Sequence, residues 1–474
     1  MIFTQLEFFL FFAVVLFGAV VVKSNRLFKL GLLAGSFYFY AYWDWRFLGL
    51  MLGCITINFC GAFFAGRSHN QQIRKFVTGF SVISSLLILG TFKYYGFFLE
   101  SFSGVLDATG IRIPAWEFLL PVGISFFTFQ ALSYTIDVYR EDIPASSSWV
   151  DVALYVSFFP QLVAGPIVRA SEFMPQLRAK PVITKERLSL GLEQFIKGFF
   201  KKAFIADHLA IFVDNVFAND QAFSSGVLVL ALVAYAIQIY CDFSGYSDMA
   251  IGGARMLGYD FSRNFNHPYL ATSIQDFWRR WHISLSSWLR DYLYIPLGGN
   301  RKGRARTYLN LFLTMLLGGL WHGAAWTFIL WGAWHGVWLS IHKAIADRNT
   351  HLTPKVRGRP VIASWRTKGI KWLMTMCIVL VGWLLFRSSD VSQFSRVFSR
   401  ILSFDRGVTW IPWVPLTCVS LVMMRHVLLL FPIGERFTTL RWGSVWTGYS
   451  LSLMMVLAIF YRPENFQPFI YFQF

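Results

Sequence analysis

Long apolar runs recur from one end of the chain to the other, and short polar segments separate them. A helix that crosses a bilayer needs about 20 predominantly apolar residues, and sometimes as few as ~17. The apolar runs cover residues 8–22, 30–42, 47–65, 76–99, 116–136, 226–241, 311–338, 372–386, 411–424 and 445–461. Because they recur throughout, the pattern predicts an all-α, multi-pass membrane bundle that forms one domain over residues 1–474.

Three segments contain features that interrupt a straight transmembrane helix. Residues 116–136 include Pro121, which predicts a kink or a broken helix. Residues 150–168 include Pro160, and residues 274–293 alternate tryptophan with arginine. Irregular backbone at membrane depth is tolerated where protein or a water-filled cavity covers it. We therefore expect re-entrant or interfacial segments at 150–168 and 274–293.

The charged residues lie mostly between the apolar runs, so they add information only about the loops. The net charge is +18, with 14% charged against 55% apolar residues, and the mean hydropathy is +0.50. Basic residues cluster at 23–29, 67–75, 169–202, 301–306 and 343–371. Positive-inside bias explains these blocks as cytoplasmic segments, so the last is interpreted as a long basic loop. Because no basic region interleaves with aromatic residues in a polar domain, nucleic-acid binding is excluded.

The termini and cysteines add little chemistry. Residues 2–22 lack a basic start and a clear cleavage site, which favours a retained first span over a cleaved signal peptide. The five cysteines lie in or beside apolar runs without metal-ligand spacing, so we expect neither a disulfide framework nor a metal site.

His322 is the most unusual polar residue of the chain. Between residues 311 and 339 the remaining polar groups are His335, two threonine hydroxyls and indole N–H groups. A titratable group at membrane depth normally faces a bundle interior or a wet cavity. Gly319 and Gly323 have the small-xxx-small spacing that lets helix backbones approach closely. His322 is either a hydrogen-bonded structural histidine or a site, and the flanking glycines favour a site.

Other polar residues near the apolar runs have structural alternatives. His282 is interpreted as a hydrogen-bonded interface histidine, and His335 as part of an aromatic seam between helices, because it shares helical spacing with three tryptophans. Asp242 and Asp248 follow the run 226–241. They are either an acid/base pair or, as we favour, ion-pair partners for Arg255 or Arg263.

A histidine suits general-base chemistry at neutral pH because its ordinary pKa is about 6.5. A base that acts on a hydroxyl within a membrane indicates acyl transfer, although a histidine in a proton-coupled transporter would look alike. No nucleotide-binding, serine-hydrolase or zinc-protease motif is present.

Four motifs resemble the membrane-bound O-acyltransferase family, and within it the bacterial branch typified by the alginate O-acetyltransferase membrane subunit. They are LPVGISFFTFQALSYTIDVYR followed by FFPQLVAGPI, then YCDFSGYSDMAIG, QDFWRRWHISLSSWLRDYLYIPLGGNR and MLLGGLWHGAAWTFILWGAWHG. The resemblance covers about residues 90–345. It implies a ring of transmembrane helices around a central tunnel, with His322 as the family's invariant histidine and His282 as its second motif histidine, both catalytic candidates.

The resemblance also implies the reaction. Members of this branch pass acetyl groups from a cytoplasmic donor, expected to be acetyl-CoA with no bound cofactor, across the bacterial inner membrane. The acceptor is an extracytoplasmic polysaccharide such as alginate, acetylated cellulose or peptidoglycan, and a periplasmic SGNH-type acetyltransferase is the usual partner. Where close relatives often have W-H-G-A-N, this chain has Ala325, which leaves the acceptor open. A histidine-dependent transporter or a scaffold of a polysaccharide export complex remains the alternative.

Basic residues near His322 are candidates for holding the CoA phosphates. Arginine matches phosphate oxygens bidentately, and seven basic residues lie within 28 positions of the sequence. They are Arg279, Arg280, Arg290, Arg301, Lys302, Arg304 and Arg306, of which we assign Arg279, Arg280, Arg301 and Arg304 to the donor site. Positive-inside bias alone would also place arginines here.

Overall fold

The computed structural model describes residues 1–109, 113, 114, 116, 118–352, 365–430, 445–463 and 468–470. These residues form helices and no strand, which confirms the predicted all-α class. They divide into two compact units, the first made of Met1–Phe199 and Gly245–Arg263, and the second of Phe200–Ser244 and Asn264–Phe474.

The helices of the described residues follow one another in chain order. The first eleven are α1 (Leu6–Val21), α2 (Asn25–Ala41), α3 (Arg46–Arg67), α4 (Gln71–Thr109), α5 (Ile124–Tyr139), α6 (Trp149–Ser157), α7 (Phe159–Leu162), α8 (Ala170–Phe173), α9 (Lys185–Phe200), α10 (Asp207–Ala218) and α11 (Ser225–Met256). The later ones are α12 (Ile274–Arg280), α13 (Ile283–Leu289), α14 (Arg304–His322), α15 (Trp326–Leu352), α16 (Trp365–Arg387), α17 (Val391–Ser403), α18 (Trp413–Leu428) and α19 (Val445–Phe460). Two π-helical turns lie at Lys201–Ala206 and Arg290–Tyr294.

Length and composition support a membrane location. Within the part of the chain that the structure describes, four helices are long and apolar enough to cross a membrane: Arg46–Arg67, Gln71–Thr109, Ser225–Met256 and Arg366–Arg387. Helices α1, α18 and α19 are shorter and apolar. The predicted breaks are present, because 150–168 forms the short helices α6 and α7, and 274–293 forms α12 and α13.

The first unit is held together by aromatic and small-residue contacts. Phe3 stacks on Tyr246 with ring centroids 4.5 Å apart, and Phe8 lies parallel to Phe195. Helices α3 and α4 approach so closely that a Cβ on Gly61 would meet the Ser81 hydroxyl at 2.0 Å. Aromatic contacts between distant parts of the chain and close helix packing therefore help to hold this unit together.

The hairpin of α14 and α15 carries His322 in the second unit. A Cβ on Gly319 would lie 2.3 Å from the Phe328 carbonyl oxygen and 2.9 Å from the Gly332 Cα. A Cβ on Gly323 would lie 2.1 Å from the Phe328 ring. The close approach predicted from the Gly319–Gly323 spacing is confirmed, and it fixes the end of α14 against α15.

Three boundaries differ from the sequence prediction. Pro121 precedes a helix start: α5 begins after Gly123, whose φ of 76° is in the left-handed region that glycine favours. The apolar run 226–241 does not end at Asp242, because α11 continues to Met256. The basic stretch 343–371 is helical at both ends, in α15 and α16, while residues 353–364 lie outside the described part.

Candidate active site

His322 is the last residue of α14 and is 5% exposed. Gly323 follows in an extended conformation, so the helix stops at the histidine. Three aromatic rings surround the imidazole, with centroid distances of 5.0 Å to Trp321, 4.9 Å to Trp331 and 5.4 Å to Phe386. Because α14 rises 1.5 Å per residue, His322 lies about 27 Å along the helix from its basic start at Arg304.

His322 lines a cavity of about 900 Å³, called here the wide cavity. Its other lining residues come from α12 to α15 and the turn between α13 and α14: Gln275, Trp278, Arg279, Ile283, Leu285, Ser286, Ser287, Leu289, Arg290, Tyr294, Ile295, Asn300, Leu311, Thr314, Met315, Gly318, Trp331, Leu339, His342, Lys343 and Ala346. The His322 end is apolar and aromatic, and the opposite end carries basic side chains. A ligand with an anionic head and a narrow reactive tail fits this arrangement.

The basic side chains of the wide cavity overlap only in part with the predicted set. Arg279 lines the cavity as predicted. Arg280 does not belong to the described lining, since its guanidinium bonds the Asp276 carboxylate at 2.9 Å and the Asn266 carbonyl. Arg301 and Arg304 are exposed and also lie outside the described lining.

His282 lies close to the site without lining the wide cavity. It is fully buried and begins α13 with a φ of 41°, in the left-handed region. Its Nδ1 is 3.2 Å from Asn264 Oδ1, and Phe243 packs edge-on at 4.6 Å. The Trp321 ring lies near both histidines, 6.3 Å from His282 and 5.0 Å from His322. His282 therefore packs near the residue that precedes His322 in the chain.

His335 lies in the aromatic seam that its spacing predicts. It is 1% exposed, with centroid distances of 4.8 Å to Trp331 and 5.1 Å to Trp278. On α16, a Cβ at Gly382 would come within 2.5 Å of its Nε2. The ring thus packs at the contact between α15 and α16.

Asp242 has the structural role that we favoured, but its partner is different. The Lys202 ammonium group lies 2.6 Å from Asp242 and 2.8 Å from Asp207, instead of either predicted arginine. The Ile470 amide donates to the second Asp242 oxygen at 2.8 Å. In the first unit, Asp248 accepts from the Gln194 side chain at 3.3 Å.

Lys202, Asp207 and Asp242 line a second, smaller cavity of about 50 Å³, called here the polar cavity. Its remaining lining residues are Ala206, Ala210, Asp214, Tyr235, Gln238, Phe386, Arg387, Pro468 and Ile470. Phe386 both lines the polar cavity and contacts the His322 ring. The wide cavity therefore reaches His322 directly, and the polar cavity adjoins a phenylalanine that packs against it.

Sequence reasoning missed His342 and Lys343 in the wide cavity and, apart from Asp242, the residues of the polar cavity. Trp331, Leu339, His342 and Ala346 recur at helical spacing, so extending the aromatic stripe of α15 would have found His342. We instead ended the helix before Lys343 because of the basic residues that follow.

Comparison with known proteins adds independent findings. The model of the membrane-bound O-acyltransferase family matches residues 37–386. The chain is 39% identical to the probable alginate O-acetylase AlgI of Pseudomonas putida over the full length of both. It is 42% identical to that of Pseudomonas aeruginosa, over 86% of this chain and 76% of the relative. It is 37% identical to a peptidoglycan O-acetyltransferase of Helicobacter pylori, over 85% and 80% respectively.

Proposed function

We propose that this chain, which belongs to the membrane-bound O-acyltransferase family, passes acetyl groups from cytoplasmic acetyl-CoA across the bacterial inner membrane for O-acetylation of a polysaccharide. As a member of that family it is an O-acyltransferase. Relatives named for alginate and for peptidoglycan O-acetylation support a polysaccharide as the final acceptor. A periplasmic SGNH-type acetyltransferase is the proposed partner that completes the transfer.

The observation that carries the proposal is the position of His322. A buried imidazole at the closed, apolar end of a 900 Å³ cavity, with cations at the other end, matches a thioester on a phosphorylated carrier. The basic start of α14 supports a cytoplasmic mouth. Arg279, Arg290 and Lys343 would hold the CoA phosphates there, while the acetyl group reaches His322.

In the reaction, the thioester C–S bond breaks and an ester C–O bond forms. His322 takes the proton of the acceptor hydroxyl as a general base and delivers it to the departing CoA thiolate. Transfer through a transient acetyl-imidazole uses the same residue and has the same overall balance. Either route needs a histidine that is shielded from bulk water, because water would otherwise compete as the acceptor.

His282 is proposed as a positioning residue. Through Asn264 it fixes the start of α13, and through Trp321 it supports the wall behind His322. His282→Ala should lower activity per folded molecule less than His322→Ala, with an unchanged pH profile. Activity that falls only in proportion to protein level would leave His282 a purely structural residue.

The decisive experiment is thiol release from acetyl-CoA by the purified full-length chain with its periplasmic partner and acceptor. A general base contributes about 10²–10⁴-fold, so His322→Ala should abolish CoA release while the protein still inserts and accumulates. His322→Gln should fail as well, because an amide cannot take the proton. His69→Ala, at an exposed histidine of the first unit, is the matched control.

The rival classes give different outcomes in the same assay. A transporter would release no CoA, and a scaffold would tolerate His322 substitutions without loss of polymer acetylation. Wild-type rates in His322→Ala would overturn the proposed function.

A further inference from the structure

The polar cavity holds buried polar groups that His322 chemistry, as derived above, does not use. Tyr235, Gln238 and Asp242 lie at i, i+3 and i+7 of α11, on one face of the helix, and all three line the cavity. Lys202 is 3% exposed and lies between the Asp207 and Asp242 carboxylates. Groups of this kind within a membrane helix mark a functional path more often than simple packing.

Two of these groups lack a hydrogen-bond partner within the part of the chain that the structure describes. The Tyr235 hydroxyl and the Gln238 Oε1 are buried, and neither has a hydrogen-bond partner among the described residues. Tyr235 is 1% exposed and Gln238 is 9% exposed. A buried polar atom without a partner costs about 1–3 kcal/mol, so such atoms call for a ligand or water. Together they offer one hydroxyl that can donate or accept and one oxygen that accepts.

The charges of the polar cavity select against an anion. Its described lining residues include the cations Lys202 and Arg387 and the carboxylates Asp207, Asp214 and Asp242, which gives one net negative charge. Each cation is already paired, Lys202 as above and Arg387 with Asp214 at 2.8 Å. A second carboxylate or a phosphate would therefore meet repulsion and no unpaired cation. An uncharged group suits the site.

The size of the cavity restricts the ligand further. About 50 Å³ holds roughly three to five waters, since one water needs about 10–15 Å³ by this measure. That volume admits a hydroxyl and the carbon that bears it, and it is too small for a sugar ring within a polymer. Phe386 lines this space and packs edge-on against the His322 imidazole, with ring centroids 5.4 Å apart.

The direction of α16 indicates the side on which the polar cavity lies. This helix begins in the basic segment that ends at Lys371, and it ends at Arg387 beside the polar cavity. Positive-inside bias puts its start on the cytoplasmic side and its end on the opposite side. The polar cavity thus lies at the extracytoplasmic end of α16, and Lys202, the last residue of the basic segment 169–202 that we expected on the cytoplasmic side, is instead part of a buried ion pair there.

We propose that the polar cavity is the acceptor subsite of the transfer, in which Tyr235 and Gln238 bind a single uncharged, hydroxyl-bearing group. This inference rests on the proposed function and names the acceptor chemistry of the same site. The acceptor hydroxyl donates to Gln238 Oε1 or accepts from the Tyr235 hydroxyl, and it then moves past the Phe386 side chain to reach His322, which takes its proton. A polyuronate chain is then not the direct acceptor, because its carboxylates and rings do not fit.

The test uses the purified full-length chain, acetyl-CoA and two small surrogate acceptors of similar size. Ethylene glycol is uncharged, and glycolate carries a carboxylate in place of one hydroxymethyl group. Acetyl-ester formation should be at least about tenfold faster with ethylene glycol at equal concentration. Equal rates with both acceptors would overturn the selectivity of the subsite.

Variants of the two polar residues separate acceptor binding from donor binding. Tyr235→Phe and Gln238→Leu should each raise the KM for ethylene glycol about threefold to tenfold, the loss of one hydrogen bond, while the KM for acetyl-CoA stays unchanged. Gln238→Asn gives a second, milder variant in case the leucine variant does not fold. Tyr259→Phe and Gln130→Leu, at buried polar residues of the first unit, are the matched controls.

The outcomes distinguish the subsite from the proposed function. If wild-type protein releases CoA and His322→Ala does not, but Tyr235 and Gln238 variants keep the wild-type KM for ethylene glycol, only the acceptor subsite is overturned. If His322→Ala remains fully active, the proposed function fails first.

Discussion

The wide cavity is lined by His322 and the polar cavity by Phe386, which packs against His322, and the two hold their charged side chains in opposite ways. In the wide cavity Lys343 pairs with Asp347 one helical turn away, and both side chains keep contact with solvent, at 38% and 22% exposure. In the polar cavity Lys202 and Asp242 are each 4% exposed and come from different helices. The exposed ion pair of the wide cavity can open to bind a charged ligand. The buried ion pair of the polar cavity instead holds the surrounding structure in place.

The difference follows from what each cavity has to do. Exposed arginines and lysines can release water and bind phosphates at little cost, because their own pairs contribute little. A buried pair costs much desolvation and stays only with good geometry and further hydrogen bonds. The second Asp242 oxygen has such a bond, from the Ile470 amide.

Of the substitutions that test this difference between the two cavities, Lys202→Met should have the largest effect. It leaves two buried carboxylates uncompensated, so the free energy of unfolding should fall by about 3–5 kcal/mol. SDS-titration unfolding of the solubilised protein measures it. Lys343→Met, on the rim of the wide cavity, should change the same quantity by less than about 1 kcal/mol. Equal losses for the two lysines would contradict the contrast between the cavities.

A compensated variant sharpens the same point. Combining Lys202→Met with Asp207→Asn and Asp242→Asn removes the cation together with both anions. It should recover part of the stability lost in Lys202→Met alone, because no buried charge remains unpaired. No recovery would mean that the packing of the lysine stem, and not its charge, sustains the polar cavity.

An intermediate loss of stability is expected at Gly319, where the backbones of α14 and α15 are in close contact beside the wide cavity. Gly319→Ala would place a Cβ 2.3 Å from the Phe328 carbonyl, which forces α14 and α15 apart at a cost of about 1–3 kcal/mol. His322 would move with the helix end, so CoA release should fall as well. Gly226→Ala, on α11 with nothing within 4 Å of the added carbon, should leave both the stability and the rate intact.

The smallest effect is expected at the rim of the wide cavity. Arg279→Lys should raise the KM for acetyl-CoA about threefold to tenfold, because lysine lacks the bidentate fork. Arg301→Lys, at an exposed position outside the described cavity lining, should leave that KM unchanged. If both variants keep the wild-type KM, the arginines near His322 only set the orientation of the chain in the membrane, as positive-inside bias alone predicts.

Periodicity and residue type predicted the helical class, the burial of His322 and the close approach at Gly319. Each of these depends on residues near one another in the sequence, so a local pattern carries the information. The broken segments at 150–168 and 274–293 were visible for the same reason, since proline and clustered arginine disrupt a plain crossing wherever they occur.

The features that we did not predict from the sequence depend on contacts between residues that are far apart in the chain. Asp242 appeared to end a helix because a carboxylate seldom lies within one, but Lys202, forty positions earlier, supplies the countercharge that lets α11 continue. Arg279 and Arg280 are neighbours in sequence, and only the fold shows that Asp276 engages one while the other faces the wide cavity.

The π-helical turn at Lys201–Ala206 has a consequence for insertions and deletions in this chain. Lys202 and Asp207 are five positions apart, which in a regular α-helix would leave them about 140° apart around the axis. The wider turn, with its i to i+5 hydrogen bonds, brings both side chains to one face and makes their 2.8 Å contact possible. Removing a single residue here, such as Phe204, would restore a regular helix in which the same two side chains are four positions and about 40° apart, so their contact would be kept. A one-residue deletion at this turn would therefore leave the ion pair of the polar cavity in place, whereas a deletion in a regular part of a helix would rotate every following side chain by about 100°.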